Sequence, residues 1–535
     1  MFTRIADVPL QETNLGSDLL KDYLSQKQEL TPLVNVWQDL NSFDKLIATR
    51  NFDPAKRPVL VQHLKTQYLG AGIELSENRF VETNIESLLE PTTFTITTGH
   101  QLSLFGGTLF MAYKILTAIK TAAELKERFP QHAFVPVLWL ASEDHDFEEI
   151  KSTYLFGKKI TWELESKEQA TGKLPLSSMA SVITGLKELL GDKSQAINWI
   201  QKIENAYQEP YTLGEASIRF YNSLFEKFGL VILDADDAKL KKFFVPIMEQ
   251  DILGQTTFAV QSVSDKALAQ NYKLQINARP INFFYLDEAL GRKMIKKDEN
   301  SFSYAEGGKQ FTSDELKKEL TENPQNFSPN VNLRPVYQET ILPNLAYIGG
   351  PGEISYWLQL KPVFDFYKVP YPMVLLRYMN VILGKGLLAK FEKLGVSSKE
   401  VLLDEKSLVQ FYISSTQPTN FPAKFEEIVA EFQYLVDHTK NLDVQLGKDF
   451  LEQKLVLKEF FKSKLPLVKK ALEQNEGVQL EKLLKLRSRI FPEGVLQERI
   501  ETLLQQEIMH DTHLLTSLLE TIEPANGKIS ILEAY

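Results

Sequence analysis

Three clusters of polar and glycine residues in this sequence have the composition of a binding or catalytic site. The first follows the β-branched run 93–98 and consists of Gly99, His100, Gln101, Gly106 and Gly107. Glycines at the end of a strand allow a tight turn, and a helix that follows presents free N–H groups to an anion. We therefore expect this turn to bind a phosphate or a carboxylate, with a purely structural turn as the alternative. The dinucleotide fingerprint G-x-G-x-x-G does not occur.

The second cluster, at 143–149, reads E-D-H-D-F-E-E and follows the apolar run 134–141. Its crowded carboxylates repel one another unless a cation, a ligand amine or basic side chains lie close by. His145 stands between Asp144 and Asp146, so it should hold its proton more readily and could act as a general acid or base. A divalent metal could bind the carboxylates, although no fixed ligand spacing is matched. A solvated acidic loop with Asp146 capping a helix is the competing interpretation.

The third cluster spans 333–357 and contains the motifs L-R-P-V-Y-Q-E and G-G-P-G-E-I-S-Y-W. Its closely spaced glycines can form a backbone nest for an anion, and an arginine offers a planar fork that fits a carboxylate or phosphate. We predict a catalytic role for Glu353, and binding roles for Arg334, Gln338, Gly349, Gly350, Gly352 and Tyr356. A structural turn is the alternative.

The composition restricts the class of protein and its redox environment. The chain has 535 residues, 43% hydrophobic and 24% charged, which is ordinary for a globular protein of several domains. Its net charge of −10 disfavours nucleic acids and anionic membranes as partners. The sequence contains no cysteine, which removes disulfides, thiolate metal ligands and cysteine nucleophiles and fits a reducing cytoplasm. Because neither a signal peptide nor an apolar run of about 18 residues occurs, we expect a cytoplasmic protein without a membrane span.

The patterns around the first two clusters predict a parallel sheet. The β-branched run 93–98 and the apolar run 134–141 read as strands, and 108–128 carries apolar residues at helical spacing. Strand, helix and strand in this order form a βαβ unit, and ligands bind beyond the carboxyl ends of such strands. Further strands are predicted at 229–234, 282–286, 331–337 and 372–377.

The remaining chain is predicted to be mostly helical. Apolar residues from 425 to 446 recur at the spacing of a coiled coil, and a second helical stretch runs to about 489. Gly447 and Asp449 are expected to mark the turn of a helical hairpin, and Pro466 to bend or break its second helix. The predicted organisation is a helical lead-in at 1–92 packed on the core, a core at 93–395 with insertions near 150–210 and 255–325, a helical coiled-coil region at 396–522, and a tail at 523–535.

Together the motifs resemble those of the bacillithiol biosynthesis protein BshC family. The resemblance rests on T-G-H-Q with the following F-G-G and Y-K, on P-V-L-W-L-A-S-E-D-H-D-F-E-E-I, on the block 333–357 and on the late F-P-E-G-V-L-Q-E-R. Many family members carry T-G-Q-Q where this chain has T-G-H-Q. The resemblance implies an α/β fold with a Rossmann-like parallel-sheet core, inserted connective segments and a C-terminal α-helical coiled coil, through which the chain would form a homodimer.

The resemblance also implies a reaction, the joining of cysteine to glucosaminyl-malate to give bacillithiol. A carboxylate does not react with an amine at neutral pH unless it is activated, so we expect ATP, with Mg²⁺, to form an adenylate or an acyl phosphate. In this interpretation the glycine turns hold phosphate or malate carboxylates, and Arg334 and Arg377 pair with malate. The cluster 144–146 binds the cysteine ammonium or deprotonates the attacking amine. Since the chain has no cysteine to form a thioester, catalysis should act by positioning and electrostatics.

Two other functions remain open at this stage. One is a nucleotidyltransferase or another adenylate-forming enzyme that acts on a different amine. The other is a non-enzymatic coiled-coil scaffold that binds a nucleotide. The melting temperature of a scaffold should not change when cysteine is added. A true substrate stabilises the folded state, so it should raise the melting temperature as its concentration rises.

Overall fold

The computed structural model of this protein describes residues 2–164, 168–191, 194–299, 301–416, 420–510 and 513–534. The chain divides into two compact units. The first contains Met1–Val381 and Gln497–Ser530, and the second contains Ile382–Leu496 and Ile531–Ala534. The division therefore falls before the predicted boundary at 395, and residues 497–522, predicted to continue the coiled-coil region, belong to the first unit.

The strands are short and are distributed along the chain. In order they are β1 (Phe2–Pro9), β2 (Thr93–His100), β3 (Ala133–Leu140), β4 (Ser152–Leu155), β5 (Lys158–Thr161), β6 (Val231–Asp234), β7 (Phe283–Asp287), β8 (Gly291–Met294), β9 (Lys296–Asp298), β10 (Ser301–Ser303), β11 (Phe327–Pro329), β12 (Asn344–Gly349), β13 (Met373–Leu376), β14 (Met379–Leu383) and β15 (Lys528–Ala534).

Helices fill most of the intervening sequence. The first fifteen are α1 (Asp18–Leu24), α2 (Phe43–Thr49), α3 (Lys56–Gly70), α4 (Arg79–Ser87), α5 (Leu109–Arg128), α6 (Phe147–Ile150), α7 (Met179–Leu190), α8 (Ser194–Ala206), α9 (Leu213–Phe225), α10 (Ala238–Lys241), α11 (Val245–Gly254), α12 (Thr256–Leu268), α13 (Ser313–Glu322), α14 (Arg334–Ile341) and α15 (Pro351–Tyr367). The others are α16 (Leu387–Glu392), α17 (Glu405–Thr416), α18 (Phe421–Leu442), α19 (Val444–Asn475), α20 (Gly477–Arg487), α21 (Leu503–His510) and α22 (Leu514–Thr521).

The first unit is organised around a five-stranded parallel sheet with the strand order β13–β12–β2–β3–β6. β2 and β3 pair along their whole length, from Thr93 opposite Ala133 to His100 opposite Leu140. Helix α5 connects them, so the predicted βαβ unit is confirmed. Because all five strands run the same way, their carboxyl ends form one edge, and the residues that follow these ends can meet there.

Two strand predictions were wrong in place or partner. Residues 334–341 form helix α14 instead of a strand, because Pro335 occupies a first-turn position where proline favours a helix. The strand that follows, β12, was missed. The segment 282–286 does contain a strand, but β7 pairs antiparallel with β8 and β11 in a separate sheet, since a tight turn leads directly from β7 into β8.

Both ends of the chain also differ from the prediction. The lead-in begins with strand β1 before its helices, and the tail contains strand β15. The Ser530 hydroxyl in β15 donates to Asp7 Oδ1 in β1 at 2.7 Å. The sequence F-T-R-I-A-D-V does not alternate strictly between apolar and polar residues, so the period of a half-buried strand is absent and the strand was missed.

The second unit contains a long helical hairpin made by α18 and α19. The rings of Phe425 and Phe461 stack with centroids 4.2 Å apart, which confirms the predicted antiparallel pair. The turn lies at Asp443, whose side chain caps α19, whereas Gly447 lies inside the helix. A Cβ at Gly447 would come within 2.7 Å of Lys440 Cα, so the close approach of the two helices requires glycine there. Pro466 lies within α19 and does not end it, although it removes one backbone hydrogen bond.

Among the described residues we find no helix that is both long and apolar enough to cross a membrane.

Candidate functional site

Two adjoining cavities open at the carboxyl edge of the central sheet. The first has a volume of about 480 Å³ and the second about 510 Å³, both in the range of ligand sites. They share a wall made by Trp139, Ala141, Gln275, Val331 and Arg334. The sheet therefore places two chambers side by side where the carboxyl ends of its strands meet.

The first cavity is built from the ends of β2 and β12 and the start of α15. Its remaining lining residues are Gly99, His100, Gln101, Phe110, Lys114, Tyr347, Gly350, Pro351, Gly352, Glu353, Tyr356, Arg377 and Arg499. The first and third predicted clusters thus come together. Gly352 and Glu353 in the first turn of helix α15 line this cavity, and the positive end of the helix dipole favours negative charge nearby.

An ion pair between a buried lysine and a part-exposed glutamate lies in the wall of the first cavity. Lys114 from α5 lies 2.7 Å from Glu353 Oε2 and also donates to the carbonyl of Gly99. Glu353 further accepts from the Tyr347 hydroxyl at 2.6 Å and from Gly350 N at 2.8 Å. Burial opposes ionisation of Glu353, but the charge and hydrogen bond of Lys114 keep its pKa below the usual value. Glu353 is therefore a fixed carboxylate that orients Lys114 and the glycine turn.

His100 is a neutral imidazole in this environment. Burial, together with the charge of Lys114, lowers the pKa of His100 to about 3. Its ring lies against Phe110, with centroids 5.2 Å apart. The side chain can exchange hydrogen bonds with a ligand but carries no charge at neutral pH.

Arg334 stands on the wall between the two cavities. Its guanidinium lies 5.7 Å from the Trp139 ring and 5.6 Å from the Tyr347 ring, and Nη1 donates to Gln338 Oε1 at 3.0 Å. Nη2 makes no hydrogen bond of ordinary geometry with any described residue, although the Tyr356 hydroxyl interacts with this guanidinium. A buried guanidinium with an N–H of this kind is suited to a carboxylate or phosphate oxygen of a ligand. Gln338 itself does not line a cavity; it holds Arg334 in place.

Arg377, predicted to pair with a substrate carboxylate, is paired within the protein instead. Its Nη1 and Nη2 donate to Glu498 at 2.6 and 2.5 Å, and both side chains are 1% exposed. The pair brings the segment after Leu496 to the cavity, where Arg499 lies over the Phe110 ring at 5.8 Å. Arg377 thus lines the cavity but its charge is already balanced.

The second cavity contains the acidic cluster together with the basic side chains that neutralise it. Asp144 Oδ2 accepts from Gln101 Nε2 at 2.7 Å, and its Oδ1 lies 3.7 Å from Arg292 Nη1. Burial alone would raise the pKa of Asp144, but the hydrogen bond from Gln101, the charge of Arg292 and a backbone hydrogen bond from Asp146 lower it well below the usual value. Asp144 is therefore a permanent anion and a poor general base at neutral pH.

His145 was predicted to act as a general acid or base, but one of its ring nitrogens, Nδ1, is already hydrogen-bonded within the protein. Arg292 Nη1 lies 3.1 Å from His145 Nδ1. A guanidinium carries only donors, so Nδ1 must accept this hydrogen bond and the ring proton belongs on Nε2. Arg292 is itself held by Ser328 and Pro329 and by the Phe284 ring, 3.9 Å away. His145 does not line either cavity.

A lysine neutralises the rest of the acidic wall. Lys241, fully buried, lies 2.5 Å from Glu143 and 2.7 Å from Asp236. Burial opposes the charge of Lys241, yet these two carboxylates raise its pKa well above the usual value. The crowding of carboxylates read from the sequence is thus relieved by Lys241 and Arg292.

Besides Gln338 and His145, four more predicted site residues lie outside both cavities. Asp146 caps α6 by accepting from Glu149 N at 3.2 Å, as the competing interpretation proposed. The N–H groups of Gly106 and Gly107 donate to Ser103 and Leu104 carbonyls, so they are not available to an anion. Gly349 uses its carbonyl to accept from Arg377 N at 2.9 Å. These glycines shape turns and do not meet a ligand in the two cavities.

Several lining residues were missed in the sequence. Lys114 resembles the other lysines that alternate with apolar residues on α5, but it is 1% exposed. Arg292 lies in the basic run R-K-M-I-K-K, and Arg499 lies in F-P-E-G-V-L-Q-E-R, far from the sheet in sequence. Of these segments, only F-P-E-G-V-L-Q-E-R could have indicated a site residue, because it formed part of the family resemblance.

The residues that the structure describes contain no group of three His, Asp or Glu side chains placed to hold a metal ion. What the two cavities do offer is a set of hydrogen-bond donors and fixed charges. The first is rich in cationic groups around a helix N-terminus, and the second presents amide groups beside a neutralised acidic wall.

Family models match the chain over almost its whole length. One, described as bacillithiol biosynthesis BshC, N-terminal Rossmann-like domain, matches residues 3–378, and another, described as the C-terminal coiled-coil domain of BshC, matches residues 381–534. A protein of Cytophaga hutchinsonii named "Putative cysteine ligase BshC" is 34% identical over 530 residues, which cover 98% of each chain. A protein of Flavobacterium johnsoniae with the same name is 36% identical over 530 residues, covering 98% of this chain and 99% of that one.

Proposed function

The chain belongs to the bacillithiol biosynthesis BshC family, and from that premise we propose that it is a ligase that joins the carboxylate of cysteine to the amine of glucosaminyl-malate with consumption of ATP. Relatives that share a third of its residues over nearly the full length are named as cysteine ligases. The observation that supports the proposal most strongly is the pair of adjoining cavities with Arg334 on their common wall. Two chambers allow an activated acid and an attacking amine to be held side by side.

Activation of the carboxylate is the first step of the proposed reaction. An oxygen of the cysteine carboxylate attacks a phosphorus atom of ATP, and the bond to the leaving group breaks. Attack at the α-phosphorus gives an adenylate and pyrophosphate, and attack at the γ-phosphorus gives an acyl phosphate and ADP. In either case negative charge moves onto phosphate oxygens, where fixed cations and N–H groups stabilise it.

The first cavity fits this step. Arg334 Nη2, Arg499, the Lys114 ammonium and the N-terminus of α15 supply donors and positive charge around one chamber. His100 remains neutral there because burial lowers its pKa to about 3. It would therefore form a hydrogen bond with the phosphates but would not add positive charge. Mg²⁺ would enter with the ATP phosphates.

Amide formation is the second step. The amine nitrogen attacks the acyl carbon, the C–N bond forms, the acyl–oxygen bond breaks, and AMP or phosphate leaves while nitrogen loses a proton. We assign the amino sugar to the second cavity. Asp144 acts there as a fixed anion that holds Gln101 and Arg292, and neither Asp144 nor His145 Nδ1 is free to take the proton. Positioning by the walls is therefore the main contribution that this chain makes to the step.

The proposal is tested by incubating the purified protein with cysteine and glucosaminyl-malate, with and without Mg-ATP, and measuring bacillithiol by mass spectrometry. We expect product only with ATP. The variant Arg334→Met, which removes the guanidinium between its two ring neighbours, should reduce kcat/KM by about a hundredfold. Absence of product with all three substrates present would contradict the proposal.

We also propose that the chain forms a homodimer through the α18–α19 hairpin. Large apolar side chains are exposed along it, including Leu442 at 82%, Val456 at 63% and Leu455 at 55%. Many exposed large apolar side chains on one hairpin are typical of an interface with another chain. Light scattering should give twice the chain mass for the native protein and a lower mass for Leu455→Glu combined with Val456→Glu. The control Leu69→Glu, at a residue 64% exposed in the first unit, should remain dimeric; a monomeric native protein would contradict the proposal.

The reducing cytoplasm is the proposed place of action. A chain of 535 residues without cysteine needs no oxidising compartment, and its proposed product and substrate are thiols.

A further inference from the structure

The polar atoms without a hydrogen-bond partner are donors in the wall of the first cavity and an acceptor in the wall of the second. Arg377 Nε in the first cavity and Arg334 Nη2 on the common wall are donors that make no hydrogen bond of ordinary geometry with any described residue. In the second cavity Asn332 Oδ1 is an acceptor that no described group reaches, on a side chain that is fully buried. Buried polar atoms nearly always have a hydrogen-bond partner. A buried polar atom without a partner at a cavity wall therefore indicates a ligand that supplies the missing hydrogen-bond partner.

A buried hydrogen-bond chain determines which way the Asn332 amide points. The Asp265 carboxylate has only acceptors, so Gln261 must turn its Nε2 toward it, at 3.3 Å from Oδ2. Gln261 Oε1 then accepts from Asn332 Nδ2 at 2.7 Å. This uses the donor side of the Asn332 amide and leaves Oδ1 as the free atom. Gln261 is fully buried and Asp265 is 8% exposed, so water does not compete for these bonds.

The same carboxylate braces the loop that forms the opposite wall. Asp265 Oδ1 accepts from Gln359 Nε2 at 2.9 Å, and Gln359 Oε1 accepts from Gln275 N at 2.8 Å and from Ile276 N at 3.2 Å. Gln275 lines both cavities, and Ile276 lines the second. Asp265 therefore fixes both the amide of Asn332 and the backbone that faces it, although it does not line either cavity.

We propose that Asn332 is a substrate-binding residue of the second cavity, where its Oδ1 accepts from an N–H or O–H of the amino sugar, and that Asp265 is the positioning residue that sets this polarity through Gln261. The assignment rests on the proposed function, which places the amino sugar in this cavity. An amino sugar carries donors on its amine and on each ring hydroxyl. The donors of the first cavity, by contrast, suit the oxygens of phosphate and carboxylate groups.

Binding measured by isothermal titration calorimetry tests the role of Asn332 without requiring turnover. Asn332→Ala should weaken glucosaminyl-malate binding about tenfold, the effect of one lost buried hydrogen bond, and should leave Mg-ATP binding unchanged. Asn380→Ala is the matched control. Asn380 is also fully buried, neither of its amide atoms has a partner among the described residues, and it lies in β14 outside both cavities.

Asp265→Asn tests the positioning role with the smallest change in shape. An amide at 265 can donate to Gln261 Oε1, which lets Gln261 and then Asn332 turn over and present Nδ2 to the cavity. We expect glucosaminyl-malate affinity to fall about as far as in Asn332→Ala, and the double variant to be no weaker than Asn332→Ala alone. If Asp265 had only a structural role, the losses of glucosaminyl-malate affinity in the two single variants would add in the double variant. Mg-ATP binding would then weaken as well.

The outcomes separate this inference from the function on which it rests. If the native protein does not bind glucosaminyl-malate, the proposed function fails and this assignment fails with it. If the native protein and Asn332→Ala bind glucosaminyl-malate equally, only the assignment of Asn332 is overturned. If Asn332→Ala does not fold, Asp265→Asn decides the question. Unchanged affinity for glucosaminyl-malate overturns the proposal. Reduced affinity for glucosaminyl-malate with unchanged Mg-ATP binding supports it.

Discussion

Burial controls the ionisation of individual side chains around the cavities, and it acts in opposite directions on acids and bases. His100 loses its charge because burial and Lys114 lower its pKa, while burial raises the pKa of Glu339 to about 7. Glu339 is fully buried, and Gln338 and Asn344 donate to its Oε1 at 2.8 and 2.7 Å. The charge state of each group follows from what surrounds it and could not be read from its residue type.

His100→Gln is expected to retain activity, because one neutral hydrogen-bonding group replaces another. A general acid or base contributes about a hundredfold or more, so a loss below about fivefold in kcat/KM would exclude that role for His100. His100→Lys is the contrasting variant. It places a second cation beside Lys114 and should lose most activity. A loss of about a hundredfold in His100→Gln would contradict the neutral assignment.

Glu339 should make stability depend on pH in a defined direction. Its pKa is about 7 in the folded chain and 4.5 as the usual value, so the folded state binds more protons between these two values. Stability from this group is therefore greatest at low pH and falls as pH rises from about 4.5 to 7, by about 3 kcal/mol in total. Urea denaturation at several pH values should show Glu339→Gln gaining stability relative to the native protein over this window. Parallel profiles would contradict the burial of an ionisable Glu339.

At the scale of elements, two glycine turns with similar sequences have different roles. Gly106 has φ of 84°, and a Cβ there would come within 2.9 Å of the Phe220 ring. Gly352 lies in the first turn of α15, lines the first cavity, and would place a Cβ in open space. One glycine is required by the fold and the other leaves room for a ligand.

Alanine at each position separates these roles. Gly106→Ala should destabilise the first unit by about 1–3 kcal/mol without changing KM for ATP, because its backbone conformation disfavours a side chain. Gly352→Ala should leave stability unchanged or raise it by up to about 1 kcal/mol, since alanine favours a helix, while KM for ATP rises. Urea denaturation and steady-state kinetics measure the two effects. If instead Gly106→Ala raised KM for ATP and Gly352→Ala only lowered stability, the turn at Gly106 would be the one that meets the ligand.

The sequence allowed β2, α5 and β3 to be predicted because each has a strong local pattern, of β-branched residues, helical spacing and a continuous apolar run. β12 was missed because N-L-A-Y-I-G follows a proline-rich segment whose apolar residues also fit a strand. Of the residues that line the two cavities, Gly99–Gln101, Asp144, Arg334 and Glu353 could be proposed from residue type and spacing. Their ionic partners Lys114, Lys241 and Arg292 come from distant elements, and pairing across such distances leaves no local pattern.

At the scale of the whole molecule, the chain returns from the helical hairpin to complete the first unit. Residues 497–530 belong to that unit, and Glu498 pairs with Arg377 at the edge of the central sheet. The pair is fully buried, so removal of one partner leaves an uncompensated charge. Through Arg499, which lines the first cavity, this returning segment contributes to the candidate site.

Glu498→Ala should destabilise the first unit by about 3–5 kcal/mol, and the double variant Arg377→Met with Glu498→Met should recover most of that loss. Urea denaturation followed by circular dichroism gives both values. If Glu498→Ala and the native protein unfold at the same urea concentration, the buried pair does not hold the segment in place.

The most direct test of the central claim uses cysteine labelled with heavy oxygen in its carboxylate. The protein is incubated with this cysteine, glucosaminyl-malate and Mg-ATP, and the nucleotide and phosphate products are analysed by mass spectrometry. Because activation attaches a carboxylate oxygen to phosphorus, we predict that bacillithiol formation is accompanied by one labelled oxygen in AMP or in inorganic phosphate. Bacillithiol formed with no label in either product, or no bacillithiol at all, would contradict ATP-dependent activation in the first cavity.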